Sequence, residues 1–322
     1  MTIPAKVHFV WIGPALPWAY VFAVLSAAAR GEMDEVILHH TDELAAGPEL
    51  AALRAAKGVR LQRDDPRALL RDAGARLGLN DKLTMLYDGL ASPVQRADVL
   101  RAAILYLQGG IYLDLDTVTI ASLQPLLTAP QFVGTEYIVW PHWVRASRSP
   151  FVWARHLALD VLRKALRVLP GGWRGFRLVE GWYFPGVNNA VMGAAPGASL
   201  FAAYLRAMVE LPVARRTQPY ALGPDLLQAL VGQFPAQALI IHQPGVFYPL
   251  PPEISEHWFR PARGLALGGT LRRALRPETL LVHWYASIRS KPYMAQMSPG
   301  YVRAHAKTQL YSALVCTALP GL

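Results

Sequence analysis

The chain has 322 residues, of which 53% are hydrophobic, which is enough apolar material for one large α/β domain or two small ones and argues against a disordered chain. Its formal net charge of +10 favours anionic partners, such as nucleotides, nucleic acid or acidic lipid headgroups. The single cysteine, Cys316, excludes an intramolecular disulfide and a cysteine-based zinc cluster, and it is typical of a reducing cytoplasm.

No apolar run is long enough to predict a membrane span, which needs ~20 residues. The best candidates, at 18–29 and 311–319, are shorter. The N-terminus leads directly into a strand-like segment, without an apolar signal region before it. We therefore expect a cytoplasmic protein that is not exported.

The N-terminal part of the chain alternates β-branched and aromatic runs with helical segments. The first run is closed by Gly13 and Pro14, which mark a turn. Because strands that alternate with helices are typical of a largely parallel sheet, these segments predict an α/β fold. The expected strands are 6–12, Glu35–His40 and 59–62, and the expected helices are 16–30 and 50–57.

A helix with clear boundary signals is predicted after Ser92, the expected N-cap, whose capping-box partner is Gln95. Gly109 is expected to end this helix, and Gly109 and Gly110 together leave room for a ligand to approach the backbone. Residues 111–120 then alternate like a strand. The apolar stripe of the helix consists of Ala97, Leu100, Ile104 and Leu107.

Two acids, Asp114 and Asp116, lie on that predicted strand. Residues i and i+2 of a strand face the same side, so the two carboxylates are expected to converge. Such a pair is a hard-oxygen site for Mg²⁺ or Mn²⁺. The alternative is that both are solvated acids at a strand end, since an Asp-x-Asp pattern alone is a weak signal.

Three other residues are candidates for ligand binding. Asp98 and Arg101 share a face of the predicted helix. They are either a surface ion pair or a donor-binding pair that contacts sugar hydroxyls and a diphosphate. Trp11 lies where the first strand meets a turn, a position where open α/β folds bind ligands. It is either a stacking platform for a base or an ordinary core tryptophan.

The stretch 145–177 is rich in cations and holds one acid, Asp160. It predicts a basic amphipathic helical insertion at about 145–180. The plain interpretation is a solvated basic face. Our hypothesis is that it lies on the anionic inner surface of the cell membrane, where each basic residue contributes about 1 kcal/mol, and delivers a lipid-linked acceptor. Its cations are Arg145, Arg148, Arg155, Arg163, Lys164, Arg167, Arg174 and Arg177.

A second stretch, 260–276, has five arginines and no acid, and it would extend this basic patch. Nucleic-acid binding proteins share this charge signature. The sequence shows no motif for reading bases, however. We therefore expect no nucleic-acid partner.

Several segments together resemble the DXD-containing glycosyltransferases of family 32, which include yeast-type initiating mannosyltransferases and many bacterial capsule and glycolipid enzymes. They are also similar to the catalytic domain of the large clostridial glucosylating toxins. The resemblance spans most of 3–290 and is dense only before residue 120. The segments that carry it are 3–13, 97–101 (ADVLR), 109–116 (GGIYLDLD), 189–192 (NAVM), 196–197 (PG) and 223–224 (GP).

This resemblance implies a GT-A fold, which is a Rossmann-like mixed sheet flanked by helices. It implies a catalytic domain at 1–290, which includes the helical insertion, and a C-terminal helical tail at 291–322 packed on that domain. It also implies a UDP- or GDP-sugar donor, a glycan or lipid-linked acceptor, a Mn²⁺ or Mg²⁺ cofactor and retention of the anomeric configuration.

Residue by residue, the resemblance implies that Trp11 stacks on the base. It assigns the donor sugar and diphosphate to Asp98 and Arg101. It implies that Asp114 contacts the sugar or ribose and the metal shell, and that Asp116 binds the metal. Asp98, Arg101, Asp114 and Asp116 are therefore the expected catalytic residues. The remaining nucleotide-sugar contacts that it implies are Val10, Ile12, Tyr112, Asn189, Ser287 and Arg289.

His283 matches the histidine of a C-terminal segment that closes the metal and phosphate site in this family, and the resemblance makes it a third metal ligand. The family usually follows that histidine with Ser-Trp, whereas this chain continues Trp-Tyr-Ala-Ser-Ile-Arg. This departure leaves the roles of His283 and Ser287 open. It makes Arg289 or Lys291 alternative phosphate contacts.

Two other classes of protein are compatible with the acidic pair. A haloacid-dehalogenase-type phosphatase would use Asp114 as nucleophile and Asp116 as acid and base, but it needs a later acidic pair, and the acids after Asp160 are isolated. A non-catalytic glycan or nucleotide binder would have no turnover to lose. Turnover of nucleotide sugars rather than of para-nitrophenyl phosphate would distinguish a transferase from the first class. Loss of turnover in Asp116→Asn would distinguish an enzyme from the second class.

Overall fold

The computed structural model describes residues 2–262, 267–286 and 289–322. The strands in these ranges are β1 (Lys6–Trp11), β2 (Glu35–His40), β3 (Val59–Arg63), β4 (Gly110–Leu113), β5 (Thr117–Thr119), β6 (Gln131–Ile138), β7 (Phe184–Ala194), β8 (Ile240–His242) and β9 (Leu281–His283).

The α-helices in the same ranges flank these strands. They are α1 (Trp18–Arg30), α2 (Pro48–Ala55), α3 (Pro66–Leu77), α4 (Lys82–Asp88), α5 (Pro93–Gln108), α6 (His142–Ala146), α7 (Pro150–Val168), α8 (Trp173–Val179), α9 (Ser199–Glu210), α10 (Val213–Arg216), α11 (Pro224–Val231), α12 (Pro244–Phe247), α13 (Leu267–Ala274), α14 (Lys291–Met294), α15 (Pro299–His305) and α16 (Leu310–Ala318). Short 3₁₀ helices lie at Gln124–Thr128, Glu180–Trp182 and Ser255–Trp258.

Seven strands form one mixed sheet in the order β3-β2-β1-β4-β7-β6-β8. The pairs β1–β2, β1–β4 and β2–β3 are parallel. Strand β7 runs antiparallel to β4 and β6, and β8 is parallel to β6. Strands β5 and β9 form a separate antiparallel ladder. The predicted α/β fold class, with a mixed sheet flanked by helices and a helical insertion, is confirmed.

The side chains of β1 show how helices cover both faces of the sheet. Successive side chains of a strand point to opposite faces. Val7 and Phe9 pack in an apolar cluster with Val24 of α1, whereas Val10 packs in another cluster with Leu100 of α5. The central strands are therefore buried on both sides, as parallel strands usually are.

Helix α5 begins at Pro93 and ends before Gly109 as predicted, but the predicted capping box is wrong. Ser92 makes no side-chain capping bond. The side-chain amide of Gln95 instead donates to the carbonyl oxygen of Arg216 at 2.8 Å. A tertiary contact thus replaces the local one that the sequence pattern predicted.

The predicted role of Gly109 and Gly110 as an opening for a ligand is also wrong. A Cβ atom on Gly109 would lie 2.6 Å from Pro196, and one on Gly110 would lie 2.7 Å from His8. Both glycines have positive φ angles, +67° and +98°. Glycine is required there for the backbone conformation and for close packing within the protein.

The predicted strand at 111–120 is interrupted by a turn that carries Asp114 and Asp116. The N–H of Asp114 still donates to the carbonyl oxygen of Ala190 in β7, at 2.8 Å. The hydroxyl of Thr117 then donates to the carbonyl oxygen of Asp114, also at 2.8 Å. The chain turns at this point, and β5 leaves the main sheet to pair with β9.

The insertion consists of helices α6, α7 and α8, but a solvated basic face is the wrong description for three of its arginines. The side chains of Arg163, Arg167 and Arg177 are only 10%, 23% and 12% exposed. Arg163 and Arg167 face Glu253, and Arg177 donates to the carbonyl oxygen of Ala274. These inward-facing cations all have polar or acidic partners, as buried charges require.

The second arginine-rich stretch also uses cations inside the protein. Arg260 pairs with Glu256 at 2.8 Å, and Arg276 pairs with Glu180. Residues 263–266 of this stretch lie outside the described residues. The predicted extension of a free basic patch is therefore wrong for Arg260 and Arg276.

The C-terminal helix α16 packs against α1. The guanidinium of Arg30 donates to the carbonyl oxygens of Ala318 and Thr317, at 2.8 and 2.6 Å. The division of the chain at residue 290 stays a prediction. Within the described ranges, none of the helices combines the length and apolar character that crossing a bilayer requires.

Candidate active site

The carboxyl ends of β1 and β4 meet at one edge of the main sheet. His8 pairs with Tyr112 in parallel register, so Trp11 and Asp114, which follow in the two strands, lie at the same edge. In open α/β sheets this edge is where ligands bind. The β5–β9 ladder adds His283 to it, because β5 directly follows the turn after Asp114.

Asp114, Asp116 and His283 form the centre of the site. One potential ligand atom from each residue lies within 4.8 Å of the others. Nε2 of His283 is 2.8 Å from Oδ1 of Asp116, and the N–H of Ala286 donates to Oδ2 of Asp116 at 2.6 Å. The two carboxylates converge as predicted, but strand alternation is the wrong reason. A turn brings them together, and β9 supplies the histidine.

Burial and mutual charge shift the pKa values of all three residues. Burial raises the pKa of Asp114, and Asp116 adds to this effect while Arg101 opposes it. Burial also opposes ionisation of Asp116, but the charge of His283 and hydrogen bonds from His283 and Ala286 outweigh it and lower the pKa. For His283, burial is outweighed by Asp116, so its pKa is raised. The Asp116–His283 pair therefore favours its ionised form.

This set of residues fits a divalent cation. Carboxylate oxygens suit Mg²⁺ and Mn²⁺, and an added imidazole suits transition metals. Nε2 of His283 is the ring nitrogen that faces the carboxylates, 2.8 Å from Oδ1 of Asp116, so a cation held by all three residues would bind this nitrogen. Nδ1, on the other side of the ring, has no hydrogen-bond partner among the described residues, and in metal-binding histidines the second nitrogen usually donates to a carbonyl, a carboxylate or water. Asp114, Asp116 and His283 are the residues that would hold it.

Arg101 is the buried cation that organises the neighbouring carboxylates. Its side chain is 5% exposed and lies 3.0 Å from Oδ1 of Asp114 and 3.3 Å from Oδ1 of Asp98. It also donates to the carbonyl oxygen of Asn189 at 2.9 Å. Tyr112, whose ring lies 4.6 Å below the guanidinium, donates its hydroxyl to Oδ1 of Asp114 at 2.7 Å. The surface ion-pair interpretation is wrong, because Asp98 and Arg101 are both buried.

Asp98 has one oxygen engaged by the protein and another beside a glycine. Oδ1 accepts from the side-chain amide of Asn189 at 2.8 Å, in addition to its contact with Arg101. Burial raises the pKa of Asp98 to about 6, although Arg101 and Asn189 oppose the shift. A Cβ atom on Gly223 would lie 3.3 Å from Oδ2 of Asp98 and 3.0 Å from the amide of Asn189. The absence of a side chain at Gly223 therefore lets its backbone approach Asp98 and Asn189 closely.

A second buried carboxylate, Glu136, lies in β6 and contacts the residue of β7 next to Asn189. Asn188 and Asn189 lie where the register between β6 and β7 shifts, and their side chains bind different carboxylates. The side-chain amide of Asn188 donates to Oε1 of Glu136 at 2.8 Å, and the hydroxyl of Tyr285 donates to Oε2. The ring of Tyr285 lies 4.2 Å from that of His283. Glu136 thus supports the tyrosine that packs on the candidate metal ligand.

Tyr285 has a φ angle of +59°, which costs a bulky residue about 1–3 kcal/mol and occurs mainly at functional sites. Tyr285, Glu136 and Asn188 were not predicted as site residues from the sequence. The available signal was weak: the polar pair Thr135-Glu136 near the end of an otherwise mainly apolar strand.

Trp11, the predicted base-stacking residue, lies at the end of β1. Its indole packs on the ring of Tyr20 in α1, with centroids 5.3 Å apart, and its Nε1 is buried without a hydrogen-bond partner among the described residues. Burial and the charges of Asp116 and Asp114 raise the pKa of the Tyr20 hydroxyl. Tyr20 therefore packs on Trp11 within range of the charges of the acidic cluster. It was not predicted as a site residue from the sequence.

Val10 and Ile12 were predicted to contact a nucleotide sugar, and the structure gives their side chains packing roles. Val10 is 6% exposed within the apolar cluster of α5, and Ile12 packs partly against the same cluster. The next residue, Gly13, has a φ angle of +127° and donates its N–H to Asp42 at 2.8 Å. The two side chains support the loop that follows Trp11.

Arg289 lies in a different set of contacts from the acidic cluster. Its side chain is 39% exposed and pairs with Glu253 at 3.3 Å and Glu256 at 3.9 Å. Ser287 lies outside the described residues. Of the predicted site residues, the structure brings together Asp98, Arg101, Tyr112, Asp114, Asp116, Asn189 and His283.

A curated relative is similar to a short part of the chain. A segment of 47 residues is 51% identical to inositol phosphoceramide mannosyltransferase 3 of Schizosaccharomyces pombe. It makes up 15% of this chain and only 13% of that relative.

Two solved structures are similar over a larger part of the chain. One is the PaToxG glycosyltransferase, which is 15% identical with a TM-score of 0.45 over 72% of this chain and 70% of that one. The other is mouse xyloside xylosyltransferase 1 in its apo form, 16% identical with a TM-score of 0.46 over 87% and 98% of the two chains.

A family model matches residues 65–133, and its description is a glycosyltransferase sugar-binding region containing a DXD motif. Over this range, which includes Asp98, Arg101, Asp114 and Asp116, the chain is therefore similar to the sugar-binding region of DXD-containing glycosyltransferases.

Proposed function

We propose that this chain is a metal-dependent, retaining glycosyltransferase of GT-A type that transfers a sugar from a UDP- or GDP-sugar to a glycan or lipid-linked acceptor. The observation that carries the proposal is the cluster of Asp114, Asp116 and His283, with ligand atoms within 4.8 Å of one another, at the ligand-binding edge of an α/β sheet. The match of residues 65–133 to a sugar-binding region supports it.

In this proposal Asp114, Asp116 and His283 hold Mn²⁺ or Mg²⁺, which offsets the negative charge on the departing nucleoside diphosphate. Arg101 keeps Asp114 ionised and fixed, because it lies 3.0 Å from Oδ1. Tyr112 donates to the same oxygen. Oδ2 of Asp114 is then the oxygen left for the cation and for the ribose or sugar.

The remaining donor contacts follow from the walls of the site. Trp11 provides an aromatic surface for the base at the end of β1. Asp98, held by Asn189 and Arg101, accepts from sugar hydroxyls. Phosphate contacts from Ser287, Arg289 or Lys291 belong to the same proposal, and Arg289 would have to exchange its glutamate partners for phosphate.

The partial similarity to a mannosyltransferase makes GDP-mannose a donor to test early. Membership of family 32 and a role in bacterial polysaccharide or glycolipid synthesis are parts of the same proposal. They rest on the motif resemblance and on this short match. A retaining mechanism would use the leaving phosphate to help deprotonate the acceptor, so no side chain is assigned as a catalytic base.

The direct test is nucleotide release from a panel of UDP- and GDP-sugars, measured with Mn²⁺ and with EDTA. We expect release from at least one donor with Mn²⁺ and none with EDTA, because the charge of the diphosphate is otherwise not offset. para-Nitrophenyl phosphate is the control substrate. Its cleavage without any nucleotide-sugar turnover would contradict the proposal and favour a phosphatase.

Gly223→Ala is expected to lower kcat/KM for the donor by about tenfold or more, because small displacements in a site are costly. The added methyl would crowd Asp98 and Asn189 at 3.3 and 3.0 Å. The matched control is Gly232→Ala, where a Cβ atom meets nothing within 4 Å. If both variants fold and retain equal activity, the close packing of Gly223 on Asp98 has no role in donor binding.

A further inference from the structure

Helix α7 packs with its polar side towards the protein. Nδ1 of His156 is hydrogen-bonded to the carbonyl oxygen of Val139 at 2.6 Å, and Arg167 donates to Glu253 at 2.6 Å. Helical residues three and four apart lie on one face, and the polar residues of this inner face are His156, Asp160, Arg163 and the partly buried Arg167, beside the buried Leu159.

The opposite face of α7 is apolar and exposed. Its large side chains are Phe151, Leu157, Val161 and Val168, which are 85%, 56%, 59% and 61% exposed. A surface helix normally turns its large apolar side chains to the core, whereas α7 buries Leu159 and leaves these four side chains exposed. The protein itself does not bury these apolar side chains, so this outer face of α7 is suited to contact with another molecule.

The segment 178–182, which follows α7 in the chain, carries two more exposed apolar side chains. Trp182 is 57% exposed and lines a shallow hollow together with Ala158 and Leu162 of α7. Leu178, one helical turn before Trp182, is 86% exposed. The outer face of α7, Leu178 and Trp182 together form what we call the outer apolar surface.

The charges next to the outer apolar surface are positive. Arg148, Arg155 and Arg174 are exposed. The one acid between 145 and 179, Asp160, is buried on the inner face. A partner with an apolar interior and an anionic surface is complementary to this arrangement. Amphipathic helices with basic flanks and exposed aromatic rings bind lipid bilayers in this way.

We propose that the outer apolar surface docks on an anionic lipid bilayer. The contact differs from the basic face expected from sequence, because apolar side chains enter the bilayer and the arginines flank them. The proposal goes beyond the proposed transferase function and does not depend on it. If both hold, a lipid-linked acceptor would be brought close to the enzyme.

The inner side of α7 contacts a residue whose other partner, Arg289, is near the candidate active site in the chain. Arg167 contacts Glu253, which also pairs with Arg289. A bilayer on the outer side of α7 would therefore be separated by one helix from this pair.

Co-flotation with vesicles tests the proposal. The vesicles are phosphatidylcholine alone and phosphatidylcholine mixed with phosphatidylglycerol, without donor or metal. We expect the protein to float with the anionic vesicles at physiological salt. In the double variant Phe151→Ser/Leu178→Ser, partition is expected to fall by about tenfold or more, since each lost side chain removes apolar area that the bilayer would bury. Both residues are more than four-fifths exposed, so the variant is expected to fold.

Met85→Ser/Val213→Ser is the matched control, because these residues are 71% and 73% exposed on other helices. It is expected to float like the wild type. Equal flotation of the two double variants would overturn the proposal, and so would a wild type that ignores anionic vesicles.

Sedimentation velocity without lipid tests whether a second copy of the chain, rather than a bilayer, covers the outer apolar surface. A wild-type dimer that Phe151→Ser/Leu178→Ser converts to a monomer would overturn lipid docking. Nucleotide release without vesicles, measured on the same variants, separates this proposal from the transferase proposal. We expect the double variant to keep that activity while it loses vesicle binding.

Discussion

Asp116→Asn is expected to lower nucleotide-sugar turnover by about 100-fold or more, because a charged contact to the departing diphosphate's cation is lost. The asparagine retains an oxygen for the N–H of Ala286, which lies 2.6 Å from the carboxylate. The ion pair with His283 at 2.8 Å is lost, so we also expect the free energy of unfolding to fall by about 1–3 kcal/mol. The measurements are kcat/KM for donor hydrolysis and urea unfolding.

The control for this variant is Asp72→Asn. Asp72 forms an exposed pair with Arg76 at 3.0 Å, and such pairs contribute about 0.2–1 kcal/mol. Turnover and stability are therefore expected to stay close to wild type. An Asp116→Asn protein that folds and retains full, EDTA-sensitive turnover would contradict the assignment of Asp116 as a metal ligand.

Arg101→Met is expected to destabilise the protein by about 3–5 kcal/mol, because it leaves two buried carboxylates without their cation. The guanidinium lies 3.3 Å from Asp98 and 3.0 Å from Asp114, and its side chain is only 5% exposed. Methionine fills a similar volume without charge or donors. Urea unfolding measures the loss, and nucleotide release is expected to be abolished in the same variant.

This destabilisation is expected to depend on pH. Burial already raises the pKa of Asp98 to about 6, and Arg101 opposes that shift, so removing Arg101 raises the pKa further. A carboxyl whose pKa is higher in the folded than in the unfolded protein stabilises the fold at low pH and loses this effect as pH rises through the folded value. The loss should therefore be larger at about pH 8 than at about pH 5.

Arg76→Met is the matched control for Arg101→Met. The side chain of Arg76 is 56% exposed and pairs with Asp72 on the surface of α3. Its loss is expected to cost no more than about 0.5 kcal/mol at either pH. If Arg101→Met is as mild as Arg76→Met, the buried carboxylate network does not organise the site.

The sequence predicted the strands of the N-terminal half well, because their signals are local. The strand Glu35–His40 has the predicted bounds, and the predicted run at 6–12 is shortened by one residue in β1. β-Branched and aromatic runs that end at glycine or proline determine such strands without help from distant residues. The same local logic predicted Pro93 and Gly109 as the limits of α5.

Features that depend on distant contacts were predicted wrongly or missed. The alternating run at 111–120 is broken because the backbone of Asp116 accepts from the N–H of Trp284 at 2.9 Å, far along the chain. The inward arginines of α7 could not be recognised either, because their partner Glu253 looks isolated in the sequence. Periodicity shows that a helix has two faces, but the rest of the fold decides which face is buried.

The candidate site, like the fold, was predicted only in part from the sequence. Asp114, Asp116 and His283 were proposed together from a motif resemblance, and they converge in the structure. The network of Glu136, Asn188 and Tyr285 was not proposed, because single polar residues in apolar strands carry no pattern. Their importance becomes visible only when the ring of Tyr285 is seen against His283.

Calorimetric titration of UDP and GDP tests directly whether Asp114, Asp116 and His283 hold the cation that carries the donor nucleotide. It compares the wild type with His283→Ala, each with Mn²⁺ and with EDTA. We expect one nucleotide to bind the wild type with Mn²⁺, and we expect binding to be lost with EDTA and weakened at least about tenfold in His283→Ala. Binding that is equally tight with EDTA and in His283→Ala would contradict the account.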